Sequence, residues 1–176
     1  MAKWVIDPDH SVAAFSIRHM MIANVRGQFN KITGNVYYDP PNIAASSVEM
    51  TIDVSSLVTG IQKRDEHLKS PDFFDAKKYP VITFKSTKIE HLGGSRAKVI
   101  GNLSIHGVSR TVILEVEYSG PVKDPFESGM SMGFTAETLI NKEDYGIKWN
   151  YPMEGSGVVV WKDAHINIDI EADLAE

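Results

Sequence analysis

Met130-Ser131-Met132-Gly133-Phe134-Thr135-Ala136-Glu137-Thr138-Leu139-Ile140 places Met130, Met132, Phe134, Ala136, Thr138 and Ile140 on one side of an extended chain. Ser131, Gly133, Thr135 and Glu137 fall on the other. Successive side chains of a strand point to opposite faces, so this stretch reads as a strand with one buried and one solvated face. The pattern recurs. Val48, Met50, Ile52 and Val54 alternate with Glu49, Thr51 and Asp53. Val112, Leu114, Val116 and Tyr118 oppose Ile113, Glu115 and Glu117, and Ile166, Ile168, Ile170 and Ala172 oppose His165, Asn167, Asp169 and Glu171. Such one-sided strands belong to antiparallel sheets.

Weaker strand patterns cover Ser11–His19, Arg26–Tyr38, Val81–Glu90 and Lys98–Ile105. Turn chemistry separates the runs at Asp39-Pro40-Pro41-Asn42, Gly93-Gly94, Gly120-Pro121 and Asp124-Pro125. The total is about eight strands, which reads as an all-β barrel or sandwich. The barrel is favoured because closure abolishes exposed edges, although period two by itself fits either. One short helix is expected. Thr59-Gly60-Ile61-Gln62 has the form of a capping box, Ile61, Asp65 and Leu68 follow at helical spacing, and Ser70-Pro71 ends the run. It would cover one barrel end, near the mouth.

The chain has 176 residues, enough for a single domain over 1–176 with a sizeable core. Hydrophobic residues make up 43% and the net charge is −5. No basic run stands out, which argues against a nucleic-acid partner. There is no cysteine, so a disulfide framework and a thiol nucleophile are both excluded. No apolar run is long enough to span a bilayer as a helix, and Met1-Ala2-Lys3-Trp4 begins without a secretory leader. The chain as given therefore reads as cytoplasmic, or periplasmic if a leader has been removed.

Catalytic patterns are weak. The six histidines form no H-x-H, H-x-x-x-H or H-E-x-x-H pair, so a metal site would need three of them to converge from separate strands. Glu154-Gly155-Ser156-Gly157 only approaches a nucleophile elbow, and no α/β pattern surrounds it. Acidic residues lie mostly on polar strand faces, and no Gly-rich phosphate loop is present. The irregular stretch 141–158, rich in Gly, Tyr and Trp, is the candidate functional loop. What remains is apolar volume. The inward faces carry Val, Met, Ile, Phe and Tyr, and an eight-stranded barrel is wide enough for packed side chains or one small ligand. Phe73-Phe74, just past the helix, suits a gate over the mouth. Met50, Met132 and Met153 suit an adaptable apolar lining.

Several blocks add a resemblance. They are Trp4-Val5-Ile6-Asp7 with His10-Ser11, Phe15-Ser16-Ile17 and His19; Val25-Arg26-Gly27-Gln28-Phe29; and Arg64-Asp65-Glu66-His67-Leu68-Lys69-Ser70-Pro71-Asp72-Phe73-Phe74-Asp75 with Tyr79-Pro80. Gly101-Asn102-Leu103-Ser104-Ile105-His106-Gly107-Val108 follows. Asn141-Lys142-Glu143-Asp144-Tyr145-Gly146 stands where Arg is common at Lys142 and Phe at Tyr145. Over nearly its whole length the chain resembles the YceI-like family of polyisoprenoid-binding, lipocalin-like proteins.

The resemblance implies an eight-stranded antiparallel lipocalin-like barrel and a homodimer. It also implies an apolar lipid inside: a polyisoprenoid, a quinone-type lipid or a fatty amide. No cofactor, no metal and no catalysis are expected. The lining residues it implies are Phe15, Ile17, Phe29, Leu68, Phe73, Phe74 and Phe84, to which the residue pattern adds Met132, Phe134, Trp149 and Tyr151. The polar candidates near a head group are His19, Arg26, His67 and His106. Gly27 and Gly107 are expected at a turn or bulge, and Asp72 and Asp75 on backbone amides after the helix. The competing readings are a metal-assisted hydrolase using the histidines and a ligand-free interaction protein with a dry core.

Overall fold

The computed structural model describes residues 1–126 and 128–176. In chain order the strands are β1 (Ala2–Ile6), β2 (Val12–His19), β3 (Ala23–Phe29), β4 (Ile32–Tyr38), β5 (Ser47–Asp53), β6 (Leu57–Val58), β7 (Val81–Gly93), β8 (Arg96–Ile105), β9 (Val108–Lys123), β10 (Met130–Asn141) and β11 (Val160–Leu174). The one α-helix among the described residues is α1 (Gln62–Lys69). All strand pairings are antiparallel. The ring runs β1-β4-β5-β7-β8-β9-β10-β11 and closes where β11 returns to β1, with Ile6 opposite Ala172. That is the expected closed eight-stranded barrel.

The register explains the alternation. Across β10 and β11, Phe134 faces Ile170, Ala136 faces Ile168, Thr138 faces Ile166 and Ile140 faces Ala164. Directly opposed apolar pairs of this kind stabilise a sheet by about 0.2–1 kcal/mol each relative to Ala–Ala. Across β9, Tyr118 faces Phe134 and Val116 faces Ala136.

Three staves of the barrel are strands broken in two. β2 continues β1 along β11, β3 continues into β4, and β5 continues into β6, which pairs with β3. Arg26–Tyr38, read as one run, is therefore two strands parted at Asn30-Lys31, and β1 and β6 carry too few residues for the period to show. Side chains satisfy the backbone at the breaks. Between β1 and β2, Pro8 has no N–H, Asp7 Oδ1 accepts from the Asp9 amide at 2.8 Å, and the Ser11 hydroxyl accepts from the Glu171 amide at 3.1 Å. At the next break the Lys31 amide donates to Ser56 Oγ at 3.1 Å, and Ser56 Oγ donates to the Asp53 carbonyl at 2.6 Å.

Gly120-Pro121 does not end a strand. β9 runs through it, and the pair Gly120-Pro121 opposes Met132 alone, between Ser119–Gly133 and Val122–Ser131. It is a bulge, a setting that accepts a residue without an N–H.

The β8–β9 hairpin turns on His106 and Gly107, both with positive φ (53° and 72°), the two-residue turn whose twist suits flanking strands. A Cβ at Gly107 would also sit 2.6 Å from the Tyr79 ring. Gly27, in contrast, is neither turn nor bulge. It lies in β3 opposite Phe15, and a Cβ there would come within 2.5 Å of that ring. The glycine makes room for Phe15 to lie across the strand.

The helix forms where expected but is held differently. Thr59 is not its N-cap: Gly60 takes φ +90°, and Ile61 occupies the cap with no side-chain bond. The Asp65 carboxylate instead reaches back to the Thr59 amide at 2.8 Å and to its hydroxyl. Arg64 donates to the Thr59 hydroxyl and carbonyl, each at 2.7 Å. Ser70, extended before Pro71, ends the helix.

Candidate functional site

β8 and β10 end, and β7, β9 and β11 begin, at the end of the barrel that α1 covers. Two apolar cavities follow one another along the axis. The first, about 130 Å³, is lined by residues including Phe15, Ile17, Phe29, Leu68, Phe73, Phe74 and Phe84. The second, about 80 Å³, lies deeper among residues that include Val36, Tyr38, Val99, Val116, Tyr118, Phe134 and Ile170. Met50, Leu114 and Ile168 line both and form a waist between them. Beside the second cavity Trp4, Val36, Met132 and Ala172 pack together in a second buried cluster, which shares Val36 with the cavity wall.

The mouth is roofed by rings. Phe29 meets Phe15 at 5.9 Å and Phe74 edge-on at 5.4 Å. Trp149 meets Phe73 at 5.2 Å, tilted, and His67 edge-on at 4.9 Å, and His67 meets Phe73 at 5.1 Å. Such pairs add about 0.5–1.5 kcal/mol beyond their buried area. They join the loop after β10 to the turn after α1 without any main-chain pairing.

The seven lining residues implied by the resemblance all reach the first cavity, and Phe134 reaches the second. Three of the additions do not line a cavity. Met132, 1% exposed, belongs to the cluster beside the second one, because it sits one inward position past Phe134. Trp149 forms the roof. Tyr151 points outward and is 67% exposed.

None of the four polar candidates lines either cavity. Arg26 is exposed on the outer face of β3, beside Gln28 in an external groove. His19 ends β2 opposite Ala23 and Val160. His67 Nε2 pairs with Asp72 at 2.8 Å, so the Asp72 carboxylate holds the imidazole rather than a backbone amide. His106 carries the hairpin turn, with Nδ1 3.1 Å from the Tyr145 carbonyl oxygen and its ring on Tyr79 at 4.8 Å. The histidines are spread apart. Among the described residues, the cluster with metal-ligand spacing is Asp7, His10 and Glu171, on the barrel's outer surface and containing one histidine.

Besides Thr138, two polar residues outside the candidate set line the first cavity. Lys142 and Tyr145, from the 3-10 turn that follows β10, are 7% and 2% exposed. The Lys142 ammonium donates to the Ile147 carbonyl at 3.0 Å, and burial pulls its pKa below the usual lysine value. The Tyr145 hydroxyl has no hydrogen-bond partner, and burial, with a smaller contribution from Asp144, pushes its pKa up to about 12. A signal existed: a lysine three residues before a tyrosine, inside the loop marked as functional. The larger aromatics further along, Trp149 and Tyr151, mask it.

Comparison with known proteins places this geometry. The model of the YceI-like domain matches residues 4–172. A UPF0312 protein of Vibrio cholerae is 38% identical over 149 residues, covering 84% of this chain and 78% of that protein. Among solved structures, BcnA of Burkholderia cenocepacia superposes with a TM-score of 0.82 at 26% identity, covering 94% of this chain and 98% of that one. A polyisoprenoid binding domain from Saccharophagus degradans superposes with a TM-score of 0.70 at 15% identity, covering 99% of this chain and 100% of that one, and shares the fold.

Proposed function

The chain belongs to the YceI-like domain family, and from that premise we propose that it is a binding protein, not an enzyme, which carries a long-chain apolar lipid along its barrel axis. The observation that carries the reading is the alignment of two apolar cavities behind an aromatic roof. A single narrow chain fits that path, whereas a compact ligand would meet the waist. Polyisoprenoid binding is attributed to the Saccharophagus domain of the same fold, and prenyl chains, quinone-type lipids and fatty amides all have the required shape. Each buried methylene contributes roughly 0.8 kcal/mol, so a chain filling both cavities gains enough to offset the cost of association. Homodimerisation and a role in transport or storage belong to the same reading.

The test is solvent extraction of the purified protein followed by mass spectrometry. One prenyl, quinone-type or fatty species near one per chain supports the carrier. A clean extract, together with no binding of a lipophilic dye, overturns it in favour of a dry-core interaction protein. Phe74→Asp provides the matching variant. It places a charge in the wall at the mouth, where an unpaired charge is costly, and should lower lipid or dye affinity about tenfold or more while far-UV circular dichroism stays that of the folded barrel. Full retention in this variant would remove Phe74 from the gate.

A further inference from the structure

The first cavity is apolar except for Thr138, Lys142 and Tyr145. A lysine ammonium buried to this degree ordinarily has an acidic partner, since an unpaired charge out of water is costly. Lys142 forms no salt bridge among the described residues: its ammonium bonds to the Ile147 carbonyl, and the exposed Glu143 beside it offsets only part of the effect of burial. An ammonium has three donors, so this bond leaves two free. Tyr145 adds a phenol donor with no acceptor of its own. Buried donors without partners are rare in native proteins and call for an explanation. Trp4 also buries an unpartnered N–H, but it lines neither cavity.

The turn that presents the two side chains is anchored from outside the barrel. The Asn141 carboxamide oxygen accepts from the Glu143 amide at 2.9 Å, Arg110 donates to the Asp144 carbonyl at 3.1 Å, and the His106 ring meets the Tyr145 carbonyl. The Ile147 amide closes on the Lys142 carbonyl at 3.2 Å, after Gly146 in the left-handed conformation. The backbone is thus held in place, and both side chains form part of the first cavity's wall, with the Lys142 ammonium on the Ile147 carbonyl and the Tyr145 hydroxyl buried. This is a preorganised donor pair beside the mouth, of the kind that holds a ligand's polar end.

We propose that Lys142 and Tyr145 are the head-group site of the barrel and together bind an oxyanion, a carboxylate or a phosphate monoester, at the end of a single apolar chain. The proposal rests on the carrier reading and deepens it. It fixes orientation: the acidic head sits just inside the mouth, and the tail runs past Met50, Leu114 and Ile168 into the second cavity. The oxyanion supplies the counter-charge that the protein withholds, and the phenol donates a second, charge-assisted bond.

The test uses delipidated full-length protein and paired probes of equal chain. Palmitic acid is compared with methyl palmitate, and farnesyl monophosphate with farnesol, by displacement of a lipophilic fluorophore. An acid should bind about tenfold or more tighter than its neutral counterpart, the discrimination expected of a hydrogen-bonded charge. A preference in only one pair identifies the head group as carboxylate or as phosphate. Lys142→Met should bring the acid down to the level of the neutral probe, whose affinity stays unchanged, and Lys142→Arg should restore the preference. Equal binding of acid and neutral probes to the wild-type protein overturns the head-group site while leaving the carrier intact. So does a preference that survives in Lys142→Met. Absence of binding by all four probes overturns the carrier itself, and the site with it.

Discussion

Tyr145 shows how single residues in this barrel trade stability against recognition. Its hydroxyl is buried with no partner, a state that costs about 1–3 kcal/mol relative to a bonded or absent group. Tyr145→Phe removes the hydroxyl and keeps the ring. The lipid-free variant should gain roughly 1–2 kcal/mol, a rise in Tm of about 2–4 °C per kcal/mol at this chain length, while losing several-fold in affinity for an acidic lipid. Calorimetry of delipidated protein, paired with a binding titration, checks both. A lower Tm would mean that the hydroxyl already has a partner. At this scale the sequence was only half legible. Phe15, Ile17, Phe29, Leu68, Phe73, Phe74 and Phe84 could be placed in the wall because large apolar side chains on inward faces have few other destinations. Histidine and arginine had several. His106 was drawn into a hairpin turn, His67 onto Asp72 and Arg26 out to solvent, and no period distinguishes these fates.

Elements were legible in proportion to their length. β9, β10 and β11 are long enough for alternation to declare both their type and their buried face. The two-residue β6 gives no period at all, and β1 is short. The breaks in β1–β2 and β5–β6 depend on Ser11 and Ser56 hydroxyls bonding the backbone of distant residues, which local sequence does not reveal. The helix was found from spacing, but its anchor was misplaced because Asp65 reaches backward across Gly60 to Thr59 instead of Thr59 reaching forward. That strap joins α1 to β6, so its loss should act on the roof more than on the barrel. Asp65→Ala should cost about 1 kcal/mol, in the range of a lost helix cap, and should speed dissociation of a bound fluorophore. Stopped-flow dilution measures the rate. Unchanged release with an unchanged melting curve would show that Asp65 holds nothing that matters to entry.

The whole molecule is a tube with an aromatic roof at one end and two apolar chambers that meet at Met50, Leu114 and Ile168. Closure into a ring was favoured because it hides the edges of eight one-sided strands, although their period fits a sandwich as well. The waist was not legible, since it arises from three side chains on strands that do not adjoin in sequence. Leu114→Trp should plug it. The variant should stay folded, accept only the shorter chains of a homologous fatty-acid series, and bind long ones with the tail excluded. A length profile identical to that of the wild-type protein would mean that the second cavity is not used. The two chambers have a further consequence. With a ligand's head fixed at the entrance, each added carbon strengthens the grip only while apolar space remains to fill, about 130 Å³ before the waist and about 80 Å³ behind it. The barrel is then a ruler, and its affinity plotted against chain length rises and then levels off.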